Sequence, residues 1–256
     1  MRLRDSIGLN LSPFFLRLVL GVVFVWAGAS KFFSEMPYTP EQAARLAEMG
    51  VDVPGAVAAP AAPAEPATEE PEDVETTDDG TPTVPAAVAP ALRFPEGATL
   101  RPVYSIALMI DGAAHPGFDD DGNQLKPIWP AEAAKGKWPV WLALAAGVTE
   151  LVAGILMFAG FFTRIAAFSL ACVMGTAMWL TQFGPAIQSG RARLGFLPSH
   201  DLFDGMAWQP LLYQFTLFGV AMALFLLGAG ALSIDAIIFG APGERAHRGR
   251  KGDADE

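Results

Sequence analysis

The chain has 256 residues, 52% of them hydrophobic and 17% charged, with a mean hydropathy of +0.34, which is too apolar for an ordinary soluble domain of this length. One cysteine, Cys172, excludes an internal disulfide framework. The net charge of −10 is local: residues 34–137 hold 18 acidic and 6 basic residues against 9 and 11 elsewhere. The acidity belongs to one insert, and the charge pattern argues against nucleic acid as a partner.

The first element, Leu11 to Phe33, is apolar except for Arg17, Lys31 and two serines. Its length and its internal arginine fit a membrane span better than a cleaved leader. Residues 34–137 follow, with 15 of the 21 prolines. Within them, Pro40 to Met49 carries Ala44, Leu46 and Ala47 among polar residues and predicts a short amphipathic helix. Val53 to Pro90 is rich in Pro, Ala and acids, has little to bury, and is expected to be a disordered linker. Val103 to Ile110 is an apolar run too short to span, read as a strand or as a segment on the outer face of the protein. The Asp119 to Asn123 run lacks the glutamate that would close a calcium loop and reads as a turn.

Three more spans come next. Val140 to Phe162 is apolar except for Thr149 and Glu150, while Ile165 to Phe183 and Leu211 to Leu232 carry no charge at all. Each is long enough as a helix to cross about 30 Å of hydrocarbon. The expected fold class is therefore all-α: an integral membrane four-helix bundle with a long, largely disordered extracytoplasmic insert. Its parts are a first span at 11–33, the insert at 34–137, three spans within 138–239 and a charged tail at 240–256. Arg2, Arg4, Arg164, Arg245, Arg248, Arg250 and Lys251 fall on one side if both termini are cytoplasmic, against Lys31, Arg191 and Arg193 on the other.

Ionisable groups within a bilayer need a partner or a task. On the first helix Arg17, Gly21, Phe24, Gly28 and Lys31 share a stripe, and on the second so do Gly147, Glu150, Gly154 and Met157. Arg17 lies about 8 Å in from Ser12 and Glu150 about 16 Å in from Phe161, a gap that a long side chain narrows. The candidate site is thus an intramembrane cluster of Arg17 and Glu150, with Arg164 and Asp235 at its cytoplasmic edge. It serves either to fix helix register or to act on protons or a quinone head group. A second candidate, for cofactor binding, is Trp26, Lys31 and Gln182 near the outer end. Most tryptophans sit where interfacial anchoring explains them, and Cys172 reads as a small core residue. His115, His200 and His247 are placed too far from the spans to pair there as metal or haem ligands, so no metal site is expected.

The segments beginning at Leu16, Thr149 and Leu226 together resemble the DoxX family of small four-helix prokaryotic membrane proteins. The likeness rests on Gly28 and Lys31 in the first helix, Glu150 in the second, Gly-x-x-x-Arg at Gly160 to Arg164, and Gly-x-Gly with Ser-x-Asp at Gly228 to Asp235. It implies a bundle in the prokaryotic inner membrane with cytoplasmic termini. It also implies a redox setting, since relatives include a subunit of an archaeal thiosulfate:quinone oxidoreductase and membrane partners of thiol-stress enzymes. Gln182 stands where members often have a histidine, and the insert is far longer than the family's usual loop.

The expected function is a redox-associated membrane subunit, linked to quinone, thiol or sulfur chemistry and working with a partner oxidoreductase, because the chain has no cofactor motif of its own. It is not expected to be a self-sufficient enzyme. The alternatives are a small-solute or ion transporter, which would call for homo-oligomerisation, and a non-catalytic scaffold whose acidic arm recruits a partner.

Overall fold

The computed structural model describes residues 3–58, 92–118, 122–190, 192–230 and 232–239. Most of the Val53 to Pro90 linker, the first three aspartates of the Asp119 to Asn123 run, Arg2, Arg191, His247 and the whole 240–256 tail lie outside the described residues.

Helix α1 spans Leu3–Phe33. Strand β1 (Met36–Tyr38) and helix α2 (Pro40–Glu48) follow, then β2 (Val57–Ala58), β3 (Leu92–Arg93), β4 (Ala98–Leu100) and α3 (Val103–Ala114). Helices α4 (Trp138–Ala159) and α5 (Thr163–Met178) come next, and a π-helical turn at Trp179–Phe183 carries α5 into α6 (Gly184–Gln188). The chain ends in α7 (Gly205–Leu227) and α8 (Ile234–Phe239).

Four helical stretches are long and apolar enough to cross a membrane: Leu11–Phe33, Trp138–Ala159, Thr163–Gln188 and Gly205–Leu227. The expected spans are present with shifted limits. The third gains a turn beyond Phe183. The fourth starts six residues early, because Pro210 is accommodated within the first turns of α7 and the Asp204 carboxylate caps it by accepting from the Met206 and Ala207 amides. It also stops early, where Gly228 at φ 85 and Gly230 at φ 73 turn the chain into α8.

The helices pack in the ring α1, α4, α5, α7, with α7 closing on α1. Leu20, Phe24, Met157, Leu170, Ala221 and Leu224 are buried at its centre. The α1–α4 contact is the most extensive, and small residues set its register. A Cβ on Gly28 would stand 2.8 Å from the Leu151 backbone, and one on Gly154 would stand 2.8 Å from the Val25 nitrogen. With Phe32 over Gly147 and Phe158 over Gly21, the two antiparallel helices can slide in neither direction.

The described ends of the insert, on either side of residues 59–91, form a folded cap. Strand β1 pairs antiparallel with β4, Met36 opposite Leu100 and Tyr38 opposite Ala98, and β2 pairs with β3. Helix α2 is the expected amphipathic helix, opened by a Thr39–Gln42 capping box. Tyr38, Leu46, Met49, Val51, Val53, Phe94, Leu100 and Val103 form one buried cluster with Ala143 of α4. Val53 therefore belongs to a core and not to the start of a linker.

The Val103 segment is a helix and not a strand. Its buried residues Val103, Ala107, Ile110, Ala113 and Ala114 recur at helical spacing, and the Arg45 guanidinium reaches Asp111 at 2.9 Å, just past the end of the apolar run. Helix α3 lies on the N-terminal half of α4, beyond the point where α1 stops. Val103 and Phe32 meet at Gly147, and Ile110, Ala113 and Ala114 pack with Leu142, Ala134 and Leu180. It thereby completes the bundle's fourth corner on the cap side.

Candidate functional site

The structure separates the expected Arg17–Glu150 cluster. Glu150 is buried near the middle of α4, 3% exposed, and its carboxylate Oε2 accepts a hydrogen bond from Lys31 Nζ in an ion pair. Arg17 instead donates to the carbonyl oxygen of Leu232. The register explains the difference. Gly160 backs onto the Arg17 guanidinium, so Glu150, ten residues earlier on α4, lies about 15 Å away along the axis. Depths counted from the expected span ends made that gap look short.

The ion pair sits where α1 ends, beside Phe32, Gly147 and Val103. Lys31 is two residues from the end of α1, and its side chain is 25% exposed against 4% for Glu150. One partner therefore reaches an accessible edge while the other is held inside the bundle. This is the arrangement in which an intramembrane charge is sustained.

A second polar group lies in the cap-side half, created by the π turn. The extra residue in a π turn shifts the following side chains around the helix. Here the Thr181 hydroxyl is hydrogen-bonded to the Gln214 amide of α7 and accepts from the Gln182 amide, at 3.2 to 3.3 Å, joining the π turn to α7. Trp179 Nε1 also donates to the Ile128 carbonyl at 2.9 Å. The isolated Gln182 had been legible, but the Gln214 partnership had no sequence signal because it depends on the packing of two distant spans.

The outer candidate Trp26, Lys31 and Gln182 is divided too: Trp26 is 79% exposed on the outside of the bundle, Lys31 turns to Glu150 and Gln182 to Thr181. Cys172 is exposed on α5 rather than in the core, off the buried stripe of Ala167, Leu170, Ala171 and Met174.

At the opposite end, Arg17, Arg164 and Asp235 do come together around the α4–α5 turn. Gly160 (φ 65) ends α4, with the Phe161 amide donating to Leu156 in a Schellman arrangement. The two carboxylate oxygens of Asp235 accept from the Phe162 and Thr163 amides at 2.8 and 2.9 Å, and its own amide donates to Gly160 at 3.0 Å. Asp235 thus supplies from another element the N-cap that Phe162 cannot provide. Arg164 packs against Gly228 and reaches the Leu226 carbonyl at 3.5 Å. Every one of these bonds goes to backbone, so this cluster locks α8 to the α4–α5 turn.

Four apolar helices of spanning length around buried charges define a multi-pass helical membrane protein. The DoxX family model matches residues 98–182, and over that stretch the chain is DoxX-like. The match runs from β4 through α3, α4 and α5 into the π turn. It includes Glu150, the Gly160 to Arg164 turn and Gln182, while Gly28, Lys31 and the Gly228 to Asp235 segment fall outside it. No curated protein and no solved structure matches the chain.

Proposed function

We propose that the chain is a redox-associated subunit of a prokaryotic inner membrane, with both termini cytoplasmic and the cap outside, that offers a quinone-accessible surface and works with a partner oxidoreductase. The observation that carries this reading is the Lys31–Glu150 pair: a buried carboxylate whose counter-ion is partly exposed, on the cap-facing side of a DoxX-like bundle. Quinones accept electrons and protons together, and a head group needs a donor for its carbonyl oxygens. Lys31 Nζ is such a donor at an accessible edge, and the buried Glu150 carboxylate holds that ammonium in place. The wholly backbone-directed bonding of Arg17 and Asp235 leaves those residues a structural role in this proposal.

The test is purification of the full-length tagged chain in mild detergent, with identification of what accompanies it and measurement of quinone reduction in membranes with and without the chain. A co-purifying oxidoreductase whose quinone-linked activity falls in the Glu150→Gln variant, at unchanged membrane level and unchanged assembly, supports the proposal. Normal activity in that variant would overturn the role of the pair. Solute flux into sealed vesicles that depends on Glu150, without any oxidoreductase partner, would replace the subunit reading with transport. The orientation is tested by attaching a periplasmic reporter enzyme after Phe33 and after Phe239, with activity expected only from the first.

A further inference from the structure

The geometry points to a phospholipid-binding groove at the cap-side rim of the bundle, selective for an anionic headgroup. The groove encloses about 770 Å³ and is lined by Lys135, Lys137, Trp138, Trp141, Leu142 and Ala145, a size within the usual range for small-molecule sites. It has two chemically different ends. Lys135 and Lys137 flank Gly136, whose φ of 56 turns the chain into α4, and they make the outer end cationic. Trp141, Leu142 and Ala145 make the other end apolar.

That apolar end continues into the bilayer-facing stripe of α4. Trp138 and Trp141 are 60% and 63% exposed, and Val148, Val152 and Ile155 extend the same face down the helix. A molecule seated here has its headgroup among lysines and indoles at the level where tryptophan prefers to sit, and its chain along an aliphatic helix face. The groove is continuous with the surface that the spans present to lipid, so the occupant belongs to the bilayer.

Charge selects which lipid. Lys135 is already held by Glu132 at 2.7 and 2.8 Å. The Lys137 ammonium has no hydrogen-bond or ion-pair partner among the described residues, and the aliphatic stem of Lys137 is placed by the cap: a Cβ on Gly50 would stand 2.6 Å from Lys137 Cε. Gly50, at φ 82, leaves the room in which that stem lies. A pinned, unneutralised ammonium above an apolar trough is complementary to a phosphate with no compensating positive charge, as in phosphatidylglycerol, and less so to phosphatidylcholine.

Native mass spectrometry of the full-length protein, with phosphatidylglycerol or phosphatidylcholine added to the detergent, tests this. Wild type is expected to retain phosphatidylglycerol preferentially. Lys137→Gln should weaken that retention about fivefold, the worth of one basic residue near an anionic surface, and Lys137→Arg should preserve it. Trp141→Ala should weaken both lipids alike. Equal retention of the two lipids by wild type, or unchanged phosphatidylglycerol retention in Lys137→Gln, would overturn the groove's selectivity. Displacement of the lipid by excess inorganic phosphate would show that the site reads free phosphate and refute a lipid occupant. If Lys137→Gln does not assemble, the wild-type preference must still shrink as ionic strength rises, and a salt-independent preference counts against the proposal.

Discussion

Replacing Lys31 with methionine removes the only cation paired with Glu150 among the described residues while keeping most of the aliphatic volume. Breaking one side of a fully buried ion pair costs about 3–5 kcal/mol. Because the Lys31 side chain is 25% exposed, water reaches part of the pair, and the cost here should be about 2–3 kcal/mol. For a chain of this size each kcal/mol moves a thermal midpoint by about 2–4 °C, so a loss of about 5–10 °C is expected in lipid nanodiscs. Glu150→Met alone should cost a similar amount. The double variant should recover most of the loss, because no uncompensated charge is left inside. A parallel cycle on Arg17 and Glu150 should be additive within about 0.5 kcal/mol, as expected for groups this far apart. Coupling in the Arg17 cycle and none in the Lys31 cycle would refute the α1–α4 register and everything built on it.

Other perturbations separate local causes. Gly28→Ala, whose new methyl would press on the Leu151 backbone, should destabilise the bundle by about 1–3 kcal/mol, whereas Gly219→Ala, with open space around it, should be neutral or slightly stabilising; thermal unfolding of both compares them. Asp235→Ala should cost about 1–2 kcal/mol as a lost cap, with faster amide exchange confined at first to the Phe162 and Thr163 turn. Burial raises the Tyr38 hydroxyl above the ordinary tyrosine range, outweighing a lowering backbone hydrogen bond at Ser105. A raised folded value means its contribution is complete below about pH 10 and is lost as pH climbs through the higher value. Tyr38→Phe should therefore flatten the alkaline limb of cap stability, measured by near-ultraviolet circular dichroism, at a cost of about 1 kcal/mol for the lost bond to Arg101.

The spans were readable because uninterrupted apolar length is a local property, and the α2 helix was readable for the same reason. The register between spans was not. Nothing in the order of residues says that Gly160 rather than Glu150 stands behind Arg17, since that depends on which glycines admit which backbone. The cap was harder still, because its core unites Tyr38 and Leu46 with Phe94 and Val103 across a long acidic, proline-rich stretch. Composition averaged over that stretch hides the ten buried apolar residues at its two ends. The Val103 run reads as ending at Ile110 because Asp111 and Gly112 follow it, although Ala113 and Ala114 continue its buried side.

The π turn at Trp179–Phe183 fastens more than its own helix. Ile128 receives the Trp179 indole bond through its carbonyl, fills the space that Gly184 leaves open, and is tied by its amide to Ala113 at the end of α3. The segment between α3 and α4 is thereby riveted to the third span at a point adjoining Thr181 and its Gln214 partner. A protein that grips the cap from outside consequently has a lever on the interior: tilting α3 must tug the widened turn and strain the Thr181–Gln214 clasp between two membrane helices.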